Sequence, residues 1–286
     1  MGKYKIFVDT GADMPEITAK EHDIGVIRFM SIFGEEAFVT GTELSNDEFY
    51  KKLEAADEIP TTSQTPYADF YDILKEASDE YDTVIYFALS AKASGQYNTA
   101  CMIRNEILEE NPKADLRITD TNTFSIFIAA TALYAKELLD GGEDIDKALE
   151  MAEEYKNSWQ CYILVDTLKY LEKGGRITKT SAIVGSLLDI KPVLTINEGL
   201  IEPVEKLRGS KKLYKKLLNL IRENPDFDDE KCEFMIAHSS DEYAKNMSDM
   251  IKEEFGSDIN MCLKFGPIVG THIGPGTLGV VFRLKK

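Results

Sequence analysis

Two short polar runs carry side chains suited to binding an anion. TTSQTP, Thr61 to Pro66, sets hydroxyls and an amide in succession (Thr61, Thr62, Ser63, Gln64) ahead of a helical stretch. Thr65 is the expected N-cap of that helix and Pro66 its first residue. Capping alone accounts for a single Thr or Ser, but four polar side chains in a row exceed what one cap needs. SAKASGQY, Ser90 to Tyr97, has the same form: it follows an apolar run, holds Ser94-Gly95 and enters a helix. A helix N-terminus presents unpaired N–H groups and the positive end of the helix dipole, so it favours an anion. A hydroxyl beside it donates readily to a carboxylate oxygen. Two such loops facing one point would cradle a carboxylate without any cationic side chain.

The catalytic inventory is thin. Of three histidines, His22 falls at a charged helix end and His238 ends an apolar strand, whereas His272 lies in the glycine-rich turn GTHIGPGTLG, free to donate to or accept from a ligand. That turn contains GxGxxG in Gly274, Gly276 and Gly279. It opens no helix and runs into the strand GVVFRL, so it is not read as a dinucleotide site. The glycines serve close backbone approach instead. Ser94, His272 and a carboxylate could be drawn as a triad, but no GxSxG elbow is present, and binding is preferred over acyl hydrolysis. Neither HExxH nor GxxxxGK[ST] occurs, so no metal and no cofactor are expected.

Positive charge gathers in one stretch. Residues 166–216 hold 11 Lys+Arg against 6 Asp+Glu, in a chain whose net charge is −17. Within it, Arg176 of LEKGGRIT and Arg208 of EKLRGSKK sit in turn-like glycine contexts suited to an acidic group or a partner. The remaining charge is uneven. Residues 1–155 carry 13 Lys+Arg against 32 Asp+Glu, and residues 156–286 carry 20 against 18. An acidic chain of this kind repels nucleic acid and anionic membranes.

The elements that must position these groups follow from periodicity. KYKIFVD, DTVIYFALS and LRITD read as strands, and DFYDILKEASDEY, QYNTACMIRNEILEE and TFSIFIAATALYAKELL as helices, the last stopped by Gly141 and Gly142. This alternation predicts an α/β domain with a parallel sheet over residues 1–155, with ligand-binding loops at the carboxyl ends of its strands. Residues 156–286 predict an α+β domain with a mixed or antiparallel sheet. It includes a hairpin at Asn197-Glu198-Gly199 and the amphipathic helix SKKLYKKLLNLIREN. Cys101, Cys161, Cys232 and Cys262 show no CxxC spacing, and each reads as a reduced thiol buried in a helix or strand. The N-terminus reads as a strand rather than a signal peptide, and no apolar run approaches the ~20 residues of a membrane span. The expected location is the cytoplasm.

Taken in order, DTGADMP, TTSQTP, SGQYNTA, LEKGGRIT, LLDIKPVLTINEGLIEPVEKLRG and GTHIGPGTLGVV resemble the motif series of DegV proteins over nearly the whole chain. The resemblance implies an N-terminal domain related to one in dihydroxyacetone kinases, a second α/β domain, and a long-chain fatty acid buried between them. It also implies a non-catalytic role: presenting the fatty acid to the separate ATP-binding subunit of a bacterial fatty acid kinase, which makes acyl phosphate for phospholipid synthesis. Carried over by motif, Thr62, Ser94 and His272 should hold the carboxylate, with Ser63 and Gln64 as neighbours, and Arg176 and Arg208 should contact the kinase. An acyl hydrolase and a stand-alone fatty acid buffer or sensor are the alternatives. The chain departs from the family pattern in two places: Thr65-Pro66 inverts the usual order of TSQPS, and SGQYNTA replaces SGTYQSA.

Overall fold

The computed structural model describes residues 2–178, 190–208 and 213–285. The first half contains β1 (Tyr4–Asp9), α1 (Glu16–Glu21), β2 (Ile24–Ile27), β3 (Met30–Phe33), β4 (Glu36–Val39) and α2 (Asn46–Ala55). It continues with β5 (Thr61–Ser63), α3 (Tyr67–Glu80), β6 (Thr83–Ala88), α4 (Gln96–Glu110), β7 (Leu116–Asp120), α5 (Ile126–Asp140) and α6 (Ile145–Asn157). The second half runs β8 (Trp159–Leu164), α7 (Lys169–Gly174), β9 (Ile190–Asn197), β10 (Leu200–Arg208) and α8 (Leu213–Arg222). It ends with β11 (Phe234–His238), α9 (Asp241–Phe255), β12 (Ile259–Lys264), α10 (Pro267–Ile273) and β13 (Leu278–Arg283).

Strand β6 is buried at every position because both of its faces are covered. Val84 and Tyr86 pack under Phe70, Leu74, Ile103 and Ile107 of α3 and α4. Ile85 and Phe87 point the other way, into a core shared with α5. The sheet order is β2-β1-β6-β7, all parallel, as the strand–helix alternation predicts. The second sheet has the order β10-β9-β8-β13-β11-β12 and is antiparallel except between β11 and β12, a mixed sheet as expected. One of its faces is covered by α8 and α9. The other sends Cys161, Ile163, Met235 and Val281 into the core that holds α5. Helix α5 is buried at every residue from Ile126 to Ala132, as befits a helix apolar on all sides between two sheets.

The β9–β10 hairpin closes on Glu198 and Gly199, both at positive φ (45° and 79°), the handedness that suits a two-residue hairpin turn. Its tip is tied to the first sheet, where the Ser90 hydroxyl donates to Gly199 O at 2.9 Å.

Four expectations need correction. Residues 61–63 form a strand, β5, in a small antiparallel sheet of order β4-β3-β5. Thr65 is not an N-cap: Pro66 holds that position, and the Thr65 hydroxyl donates to Arg28 O at 2.9 Å. His272 lies in the last turn of a helix, α10, with the glycine turn beginning after it at Gly274. Of the cysteines only Cys161 is buried; Cys232 occupies a loop at φ 49°, and Cys262 is exposed because its side of edge strand β12 faces outward. No helix among the described residues is long and apolar enough to cross a membrane.

Candidate functional site

A cavity of about 320 Å³ opens where the loops of the first sheet meet β5, the loop after α7, α10 and the hairpin tip. Its polar end is lined by Thr62, Ser63, Gln64, Ser94, Gly95 and His272. Five of these six positions belong to the two polar runs of the sequence, and the sixth is His272. Its apolar walls include Leu89, Phe124, Ile201, Val269 and Ile273. The lining therefore draws on both halves of the chain.

Each polar group is placed by an identifiable element. Thr62 pairs with Ser31 across β5 and β3, so the two side chains share the sheet face on which α10 packs. There Thr62 Oγ1 meets His272 Nε2 at 2.9 Å. Ser94 precedes α4, and its hydroxyl accepts the Gln96 N–H at 3.3 Å. Gly95 caps α4 without a side-chain bond, which leaves the positive end of a 15-residue helix at the cavity. Gln96 locks the two polar loops together. Its amide donates to Thr65 Oγ1 at 2.9 Å, its carbonyl accepts the Thr65 N–H at 3.3 Å, and it is fully buried. Sequence reasoning passed over Gln96 as the first residue of a helix.

The imidazole of His272 is neutral at physiological pH. Burial, followed by the nearby positive charge of Arg176, pushes its pKa down to about 4. Its Nδ1 is enclosed and has no hydrogen-bond partner among the described residues. That edge of the ring faces Gly174, where a Cβ would stand 2.4 Å from Nδ1. The GG of LEKGGRIT is thus explained by two separate demands. Gly174 makes room for the ring, and Gly175 ends α7 at φ 68°. Among the described residues no carboxylate orients His272 from behind, so there the Thr62–His272 pair lacks the third member that a nucleophile–base–acid triad needs.

Arg176 also lines the cavity. Its Nε donates to Ala93 O at 3.0 Å and its guanidinium also donates to Gly174 O, so it ties the α7 loop to the loop that carries Ser94. Arg208 is elsewhere: it is exposed at the end of β10 and absent from the lining. His22 and His238 are likewise outside the cavity. His238 is buried at the end of β11, which lowers its pKa. Among the described residues no group of three or more His, Cys, Asp or Glu side chains could hold a metal ion.

Fold and site together define an α/β protein built on a parallel and a mixed sheet, with a cavity polar at one end and mainly apolar along its walls. A family model described as an uncharacterised protein of the DegV family matches residues 3–285. A DegV domain-containing protein of Clostridium perfringens is 34% identical over 286 residues, covering 99% of this chain and 98% of that one. The crystal structure of DegV, a fatty acid binding protein from Bacillus subtilis, superposes with a TM-score of 0.85 at 28% identity over 100% of both chains. A fatty acid binding DegV family protein from Streptococcus agalactiae gives 0.84 at 29% identity, again over 100% of both. The chain belongs to the DegV family.

Proposed function

We propose that this chain binds one long-chain fatty acid between residues 1–155 and 156–286, read as two domains, with the carboxylate at Thr62, Ser94 and His272. The acyl chain would lie along Leu89, Phe124, Val269 and Ile273. The observation that carries this reading is the Thr62–His272 hydrogen bond at the polar end of a cavity whose walls are mainly apolar. With the proton on Nε2, His272 donates to Thr62 Oγ1 and frees the Thr62 hydroxyl proton for a carboxylate oxygen. The Ser94 hydroxyl and the start of α4 supply further donors, and Ser63 and Gln64 border them. The likeness to proteins described as fatty acid binding supports the same ligand class.

The test is mass spectrometry of an organic extract of the purified protein, together with uptake of added oleate. Burying a methylene is worth about 0.8 kcal/mol, so a bound acyl chain should survive purification. Thr62→Ala and Ser94→Ala should each weaken binding by roughly 1.5–3 kcal/mol, and less than additively when combined. Folded protein that neither carries nor takes up an acyl chain refutes the reading.

In the cell the protein would act in the cytoplasm without turnover of its own, offering the carboxylate to a separate ATP-binding kinase subunit. Exposed Arg208, within the basic stretch 166–216, is the proposed docking point, whereas Arg176, bonded to Ala93 O and Gly174 O, braces the cavity. Acyl phosphate formation that requires both this chain and the kinase subunit would support this role, and acyl ester or ATP turnover by the chain alone would contradict it.

A further inference from the structure

The motif DTGADMP is unexplained by the cavity, since none of its residues lines it. Its two acids are nevertheless buried. Asp9 stays within the first sheet, accepting from Gly11 N, Leu89 N and the Tyr86 hydroxyl. Asp13 reaches across the molecule. Its Oδ1 accepts the Gly266 N–H at 2.8 Å, and its Oδ2 accepts the Ser125 hydroxyl at 2.5 Å. Gly266 is the N-cap of α10, has no side-chain oxygen of its own and directly precedes Pro267, which has no N–H to offer. Ser125 begins α5 at φ 57° and ψ −135°, a sparsely populated conformation for a residue with a side chain. Asp13 itself sits at φ 53°, in the left-handed region that Asp tolerates better than most residues. One carboxyl group therefore holds a strained helix start on one side and the start of the His272 helix on the other.

We propose that Asp13 is a positioning residue for the carboxylate site: by fixing the start of α10 it sets His272 against Thr62. This rests on the fatty acid reading above. Helix α10 is only two turns long, so a shift at Gly266 is carried to His272, six residues on. The groups that bear electrostatically on Asp13 are Asp9, which opposes its ionisation, and Tyr50, whose phenol is kept protonated by burial first and by Asp13 second. Burial raises the Asp13 carboxyl to about 7. The role survives protonation, because the carbonyl oxygen of the neutral acid still accepts from Gly266 N–H and its hydroxyl can serve Ser125. Asn has the same reach and the same acceptor, so it should replace Asp here.

The test is a double-mutant cycle read as oleate affinity, with folding checked by circular dichroism. Asp13→Ala should weaken oleate binding about tenfold or more, and Asp13→Asn by less than about threefold. In a His272→Ala background, Asp13→Ala should cost almost nothing further, because the ring it positions is gone. Should Asp13→Ala not fold, Asp13→Ser, whose hydroxyl falls short of Gly266, takes its place in the cycle. A loss of equal size in both backgrounds, or wild-type affinity in Asp13→Ala, overturns the role of Asp13. Wild-type protein that takes up no oleate overturns the functional reading on which it rests.

Discussion

The adjacent glycines of LEKGGRIT separate the cavity's demands from the backbone's. An Ala at position 174 would bring Cβ to 2.4 Å from His272 Nδ1, about 1 Å inside the 3.4 Å where ordinary contact begins. The imidazole has no room to retreat, because Thr62 Oγ1 already stands 2.9 Å from Nε2 on its far side. Either the ring swings out of its pair with Thr62 or α7 lifts away from α10. Both break the donor arrangement proposed for the carboxylate, at a cost of roughly 1.5–3 kcal/mol, or about 10- to 100-fold in affinity. Overall stability should change far less, since Ala is favoured over Gly within a helix by about 1 kcal/mol, which offsets part of the strain. Gly175→Ala should do the reverse. Nothing lies within 4 Å of a Cβ there, but φ is 68°. The left-handed backbone should cost about 1–2 kcal/mol of stability with oleate affinity unchanged. Isothermal titration with oleate, beside thermal melts of the three proteins, makes the comparison. Wild-type affinity in Gly174→Ala, or an affinity loss confined to Gly175→Ala, would refute the assignment of Gly174 to the His272 contact.

Asp9 and Asp13, raised by burial to about 6 and about 7 from 3.8, contribute stability that is full below pH 3.8 and is lost as pH rises through 6 and 7. His272, lowered from 6.5 to about 4, acts oppositely only below pH 6.5, so denaturant melts should show stability falling between pH 6.5 and 8. Asp13→Asn should flatten that slope, which for one proton is at most about 1.4 kcal/mol per pH unit. Arg208→Ala should leave melting temperature and acyl content near wild type while slowing acyl phosphate formation with the kinase subunit, an effect that added salt mimics. Arg176→Ala should lose acyl content and stability together, since its guanidinium bonds Ala93 O and Gly174 O; a mutant that keeps both yet slows the coupled reaction would show that Arg176 serves docking instead. Ile128→Ala, at a fully buried site between the two sheets, should cost about 2–5 kcal/mol while the chain still unfolds in one transition.

The parallel sheet was legible because a strand covered on both faces, such as Thr83–Ala88, is buried throughout and so nearly continuously apolar. The α5 helix was legible for a related reason, its apolar residues running all the way round and stopping at Gly141. The polar runs were legible as a pair: TTSQTP and SAKASGQY do border one cavity. What failed was local structure decided at long range. Thr61–Ser63 pairs with Met30–Ile32, some thirty residues away, and a three-residue strand has no periodicity of its own. Thr65-Pro66 looks like a helix start by composition, yet the Thr65 hydroxyl is claimed by Arg28 O and Gln96, partners that no local rule supplies. The seven residues of α10 are too few for a helical pattern to stand out beside the glycines that follow. Arg176 lies in a glycine turn that could as well face outward, and only the carbonyls of Ala93 and Gly174 settle where its guanidinium goes.

The chemistry of the cavity follows from what it leaves uncharged. A site that met a carboxylate with a buried Lys or Arg would carry an unpaired charge whenever it stood empty, and the desolvation cost of that charge is several kcal/mol. Hydroxyls and a neutral imidazole avoid this: an empty pocket holds Thr62, Ser94 and a His272 that remains unprotonated down to about pH 4. Arg176 lines the cavity with two of its N–H groups given to backbone carbonyls, where its charge helps keep His272 neutral and still favours an incoming anion. In the proposed complex, binding strength would come mainly from burying the acyl chain, at about 0.8 kcal/mol per methylene, while neutral donors would hold the carboxylate and could be displaced by another protein's reagents. For a chain proposed to hand its carboxylate to a kinase subunit, that division is the one that keeps the ligand and releases the headgroup. Replacing Thr62 by Lys should therefore tighten retention of oleate at pH 7, if the protein folds, and slow acyl phosphate formation. Faster acyl phosphate formation in that variant would show that the neutral character of the site has nothing to do with presentation.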